Sequence, residues 1–305
     1  MVGAGGSGGN AGTSSAGHAD SGGSAGSTAD AGTGADVGDA GSETGGVGGA
    51  PASGGAGGLL GLAGGLGGVA GAVIEPTLPS TGLLLWLRAD YGIQQKDGRV
   101  QKWLDQSGNQ IDATQGSSNE QPKYLATGFN GRPTLEFDGQ GQFLKFEEGF
   151  GDFSKGLVGV ILAKPSKSDC ASMLEFSNGS EVDDIALGMW QNKWTYEVTE
   201  PLIQSGNVNL QAFSRYAVNH RPTGIADLRI NGSTLTTLNM PLPASVVRVN
   251  DFVGHTLYAG GCEYFKGQIS EIIMYSRSLP SSDLNAIEKY LEEHWALAEQ
   301  DSAGP

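Results

Sequence analysis

The first 78 residues contain no Lys, no Arg and no Phe, Tyr or Trp; they are almost wholly Gly, Ala, Ser and Thr with scattered Asp. A segment with so little apolar surface cannot offset the entropy of ordering its backbone, so residues 1–78 are expected to form a disordered, flexible tether. The fold must therefore be built from the rest of the chain. All five Trp, all eight Tyr and all ten Phe lie beyond Leu83. Residues 79–300 are expected to make one domain, a size at which an all-β sandwich is commonly single.

One stretch of the tether differs from the rest. Ala56–Ile74, "AGGLLGLAGGLGGVAGAVI", has nineteen residues without a polar side chain and the glycine pairs Gly57/Gly61, Gly61/Gly65, Gly64/Gly68 and Gly67/Gly71. Such spacing lets helices approach closely in a bilayer, and about 18 apolar residues just span one. Eight glycines make a poor helix in water, which favours a collapsed linker packed on the domain or on another chain. Membrane contact and self-association are expected only through this run. The opening residues, "MVGAGGSGG", lack the basic and apolar regions of a secretory leader, so export is expected to depend on a leader no longer attached or on another route.

The net charge is −15, six of it from the unopposed acids of the tether. So acidic a chain argues against nucleic acid and anionic membrane as partners and is compatible with neutral glycans, proteins and divalent cations. Cys170 and Cys262 are expected to form a disulfide in an exported chain and to remain buried thiols in a reducing one. The tether favours export, and with it the bridge.

Beyond Leu83 the pattern is strand-rich. Short apolar or alternating runs ("LLLWL", "GLVGVILAKP", "SMLEFSNGS", "DIALGMW", "KWTYEV", "VNLQA", "ADLRING", "GQISEIIMYSR") are separated by Gly and Asn turns. Only "LPSSDLNAIEKYLEEHWALA" predicts a helix, with Ser281 or Ser282 as N-cap and Leu284, Ile287, Leu291, Trp295 and Ala298 on one stripe facing the sandwich. His294 is expected at the solvent edge, and His220 and His255 in loops.

Five segments together carry a family resemblance: "GLLLWLRADYGI", "VQKWLDQSGNQIDATQ", "NGRPTLEFDGQGQFL", "LRINGS" and "FKGQISEIIMYSRSLPSSDLNAIEKYLEEHWAL". In this order they resemble bacterial laminin-G-like domains of the concanavalin A-like lectin and glucanase group. The resemblance implies an antiparallel jelly-roll β-sandwich with one C-terminal α-helix. It also implies a secreted or surface-tethered setting, and calcium as the cofactor where rim loops supply Asp, Asn and carbonyl ligands. It leaves function open, because one fold hosts lectins, adhesion modules, hydrolases and lyases.

Few patterns in the chain carry chemistry. Asp105, Ser107, Asn109 and Asp112 are spaced like a calcium loop, but position 6 is Gln110 and position 12 is Gly116, so the stretch reads as a turn. No E-x-D-x-x-E strand is present: "EVDDIALG" has Ala186 where the last Glu would stand. Asp138, Asn178, Asp183 and Asp184 are the rim residues expected to ligate calcium. Trp190, Asn192, Trp194 and Tyr196 are expected to offer a sugar an aromatic platform with a hydrogen-bonding amide. The function expected is therefore a non-catalytic adhesion module for a glycan or an extracellular protein. The alternatives are a polysaccharide hydrolase or lyase, and a self-assembling surface protein.

Overall fold

A computed structural model describes residues 78–297, apart from 148, 168, 200 and 201. The expected tether, its apolar run at 56–74 and Ala298 lie outside the described residues. The strands run in chain order as β1 (Leu83–Arg88), β2 (Ile93–Lys96), β3 (Arg99–Trp103), β4 (Ala113–Thr114), β5 (Lys123–Phe129) and β6 (Arg132–Asp138). They continue with β7 (Leu144–Phe146), β8 (Leu157–Pro165), β9 (Cys170–Ser177), β10 (Ile185–Trp190), β11 (Lys193–Val198) and β12 (Leu202–Asn207). The last are β13 (Ser214–His220), β14 (Ile225–Ile230), β15 (Ser233–Asn239), β16 (Asn250–Val253) and β17 (Lys266–Tyr275), before the helix α1 (Ser281–Trp295).

Every pairing between these strands is antiparallel, and the pairings resolve into two layers. The first runs β15-β14-β13-β8-β17, with β1 and β6 sharing the far edge of β17 and β5 beyond β6. The second runs β12-β11-β10-β9-β16-β7-β4-β3-β2. One pair, Arg99 opposite Lys123, joins β3 to β5 and links the layers. The described residues form an all-β jelly-roll-type sandwich with one helix among them, as expected. No helix among the described residues is long and apolar enough to cross a membrane.

Period-two alternation builds the core. Ile185, Leu187 and Met189 of β10 and Trp194, Tyr196 and Val198 of β11 face inward, where they meet Tyr216 and Val218 of β13. Polar groups that this buries are satisfied across the layers. The Trp194 indole donates to the Ala217 carbonyl (3.2 Å), and the Tyr196 hydroxyl bonds His220 Nδ1 (2.9 Å). Because His220 Nε2 lies 3.3 Å from the Met240 carbonyl, Nε2 carries the proton and the tyrosine hydroxyl donates to Nδ1.

The stretch at Asp105 is a turn that staples β1. Asp105 Oδ1 accepts from the Trp86 and Ser107 amides (2.9 Å each), and Asn109 Nδ2 donates to the Leu83 and Leu84 carbonyls (2.9 Å each). Left-handed backbone falls on Gly108 and Gln110.

Several local expectations need correction. "VNLQA" is a loop between β12 and β13, because Asn209 Oδ1 takes the Gln211 and Ala212 amides (2.9 and 3.1 Å) in place of ladder bonds. Pro280 occupies the N-cap of α1 and no serine side chain caps it. His220 is a fully buried strand residue. His255 does lie between strands, in the connection from β16 to β17, but it is packed there, stacked on Tyr264 at 4.8 Å and bonded to the Glu263 carbonyl (2.8 Å). His294, expected at the solvent edge, bonds Asp90 at 2.7 Å with its side chain only 15% exposed.

Candidate functional site

The outer faces of the two layers carry different things. On the first, α1 docks: Arg215 of β13 pairs with Glu288 (2.7 Å) and Glu292 (2.8 Å). Glu271 of β17 accepts from the Trp86 indole (2.6 Å), the Trp295 indole (2.5 Å) and the Tyr290 hydroxyl (2.8 Å). Three donors on one buried carboxylate fix the helix to the sheet. The outer face of the second layer instead carries a cleft of about 210 Å³.

Strand register assembles that cleft. Ala186, Gly188 and Trp190 take the outward phase of β10, and all three line it. Glu175 of β9 and Glu197 of β11 are both opposite Ala186, so two carboxylates flank one methyl group in a single cross-strand row. Their Cα atoms stand two strand spacings apart, about 9.5 Å. At Gly188 the floor is tight: an added Cβ would collide with the Ala171 carbonyl and lie 2.8 Å from Ser172 Cα.

The connection from β16 to β17 makes one wall. A disulfide between Cys170 and Cys262 ties this connection to the start of β9. Glu175 also holds it, accepting from the Leu257 amide (3.3 Å) while Ser172 Oγ donates to its other oxygen (2.9 Å). Tyr258, 39% exposed, is thereby set edge-to-face against Trp190 with ring centroids 6.1 Å apart.

The turn from β9 to β10 makes another wall. Glu181 and Asp183 adopt left-handed backbone at φ 59° and 57°, which is costly for side chains of this kind. Arg248, fully buried, holds the turn by donating to the Asp183 carbonyl (2.6 Å) as well as to the Ala244 and Val246 carbonyls. Asp184 follows, 8% exposed, with Oδ1 lacking a hydrogen-bond partner. Burial pushes its carboxyl up to about 6, and the charge of Glu175 adds to the rise. Burial also raises the Glu175 carboxyl, against the hydrogen bonds from Thr256, Ser172 and Leu257.

The aromatic residues singled out in the sequence are divided by this geometry. The β10–β11 hairpin turns on two residues, Gln191 and Asn192, both with positive φ (52° and 63°), and so pairs Trp190 with Lys193. Trp194 then pairs with Met189 and falls on the core face with Tyr196; both are 0% exposed. A ligand on the outer face meets Trp190 and cannot reach Trp194 or Tyr196. Asn192 is half-buried in the turn, its carbonyl accepting from the Val208 amide at 2.9 Å.

Of the four rim residues, Asn178, Asp183 and Asp184 share the turn from β9 to β10, and Asp138 stands apart at the end of β6. Asp138, at the end of β6, accepts from the Gln140 amide (2.8 Å). Asn178 donates to Asp183 Oδ2 and to the Val247 carbonyl (3.0 Å each). Among the described residues, no group of three or more His, Cys, Asp and Glu side chains is placed to hold a metal ion. Glu175, Glu197 and Tyr258 escaped sequence reasoning. The available signal was a Glu at the outward phase of two otherwise apolar strands, "SMLEFS" and "KWTYEV".

No protein-family model and no curated protein matches the chain. Among solved structures it is similar to Trypanosoma rangeli sialidase in complex with sialic acid, with 13% identity and a TM-score of 0.50 over 71% of this chain and 34% of that one. It is similar to the binding domain of Paraclostridial mosquitocidal protein 1, with 9% identity and a TM-score of 0.51 over 68% of this chain and 52% of the other. It is also similar to botulinum neurotoxin type C, whose cell entry depends on two ganglioside molecules, with 12% identity and a TM-score of 0.51 over 70% and 52%. The chain thus spans a third to a half of these three proteins, and at these identities the likeness shows the fold alone.

Proposed function

We propose that the domain is a glycan-binding module and that the glycan sits in the cleft on the outer face of β9, β10 and β11. One observation carries the reading. The cleft places Trp190 and Tyr258 beside a floor of Ser172, Thr195, Glu175 and Glu197, which joins apolar ring faces to hydroxyl and carboxylate acceptors. Sugar rings present that combination of apolar faces and hydroxyl donors. The laminin-G-like segments support the same reading, as do the sialic acid and ganglioside named for two of the similar structures. The disulfide fits an oxidising compartment and therefore a secreted or surface protein.

A glycan array read with the wild-type chain and with Trp190→Ala tests it. Binding to a defined set of glycans, lost in the variant while the melting temperature holds, is the expected result. An array on which no glycan binds the wild-type chain overturns the reading.

A second reading is favoured by the Glu175–Ala186–Glu197 row. Carboxyl groups about 6.5–9.5 Å apart are the arrangement of inverting glycosidases, and backbones two strand spacings, about 9.5 Å, apart are of that order. Release of new reducing ends from a bound glycan, abolished by Glu197→Gln, would establish hydrolysis. Binding without release leaves a lectin-like module.

A further inference from the structure

The charge of the cleft separates it from the acidic sugar named for one of its structural relatives. Its lining includes Glu175, Glu181, Asp184 and Glu197 and, among the described residues, contains no Lys, Arg or His. A ligand carboxylate there would face like charges in a partly desolvated site, an arrangement that opposes binding. An ammonium group is favoured by the same field. A second feature points to a missing donor: Asp184, more than nine-tenths buried, lines the cleft with Oδ1 unpartnered. A buried acceptor left unsatisfied is costly unless a ligand completes it.

We infer that the cleft takes an amine-bearing glycan, a hexosamine oligomer with one free nitrogen, an ammonium, seated against Asp184 and Glu175 and a neighbouring ring of the same chain beside Trp190 at the other end of β10. This rests on the glycan-binding reading above and narrows it to a class. Amino-sugar polymers with free amines belong to that class, whereas their N-acetylated counterparts do not.

The groups facing Asp184 set a pH dependence. Glu175 lies on the adjacent strand β9, opposite Ala186, Glu181 precedes Asp184 in the turn, Glu197 lies on β11, and Arg248 donates to the Asp183 carbonyl. Both Asp184 and Glu175 titrate above the usual carboxylate range, first because of burial. As pH falls through about 6 Asp184 gains a proton and the attraction for an ammonium weakens, so affinity for the amine declines on the acid side.

Isothermal titration calorimetry at pH 7 with the full chain tests the inference. The probes are a glucosamine trisaccharide, its fully N-acetylated form, sialyllactose and trilysine. The amine trisaccharide is expected to bind about tenfold or more tighter than the acetylated form, with sialyllactose weakest. Asp184→Asn, a near-isosteric change, is expected to erase that preference. Equal or better binding of the acetylated form overturns the amine assignment and leaves the glycan reading intact. Trilysine binding as tightly as the amine sugar overturns the sugar assignment in favour of a basic peptide. Silence with all four probes overturns the inference, and the glycan array then decides the broader reading.

Discussion

Trp190 and Trp194 sit on one hairpin, and the turn between them gives them opposite fates. Gln191 and Asn192 form a two-residue loop, so the chain returns with Lys193 opposite Trp190 and Trp194 opposite Met189. The first ring borders the cleft; the second is sealed in the core with its indole bonded to the Ala217 carbonyl. Truncating each separates binding from folding. Trp194→Ala empties a fully buried site and strands a carbonyl partner, and is expected to cost about 3–5 kcal/mol in urea unfolding. Trp190→Ala, at a half-exposed position, is expected to change stability by less than about 1 kcal/mol and to weaken glycan affinity about tenfold or more. Comparable stability losses in both variants would show that the Trp190 ring is a packing residue rather than part of a binding wall.

The connection between β16 and β17 depends on covalent and hydrogen-bonded ties, because it has no regular structure of its own over most of its length. The Cys170–Cys262 bridge spans a sequence separation of 92, for which loop entropy gives a stabilisation of about 4–5 kcal/mol. Replacing both cysteines with serine is expected to cost about 2–5 kcal/mol and to weaken ligand binding, since Tyr258 loses its fixed position. Unchanged affinity in the double variant would mean that the Glu175 bonds to Ser172 and Leu257 hold the wall alone. Elements also mark where a sequence stops being informative. Strands such as β8, β14 and β17 are legible because alternation or an unbroken apolar run is a local signal, and α1 is legible from its buried stripe. The cleft is not, because Glu175, Ala186 and Glu197 become neighbours only through the register of three strands. The assignment of Trp194 and Tyr196 to a platform failed for a related reason: the face a strand residue occupies is fixed by pairing, and alternation alone does not say which face is core. Val208–Ala212 alternates like a strand, yet the Asn209 side chain takes over its amides.

Over the whole molecule, buried carboxylates with opposing demands set the pH of greatest stability. Burial works against ionised Asp90, but hydrogen bonds from His294 and Arg88 outweigh it and hold the carboxyl at about 2. Such a depressed group stabilises the fold above its unfolded value of 3.8, and the contribution is lost as pH falls towards 2. Asp184 and Asp251 act in reverse. Burial raises them to about 6 and about 7, so what they contribute is fully present below 3.8 and disappears as pH rises through those values. Together they amount to several kcal/mol at most, on the order of 1.4 kcal/mol for each tenfold change in proton affinity. The net charge of −15 works in the same direction, because deprotonation on the alkaline side adds to self-repulsion. The melting temperature is therefore expected to peak near pH 4, falling on both sides. Asp251→Asn is the decisive variant: its carboxyl is 1% exposed and both oxygens lack a well-formed hydrogen bond. The substitution removes a charge that is unfavourable only when ionised. It is expected to raise the melting temperature at pH 8 and to leave it nearly unchanged at pH 4. Destabilisation at pH 8 would instead show that ionised Asp251 is needed to balance the buried guanidinium of Arg248, whose field already favours that form.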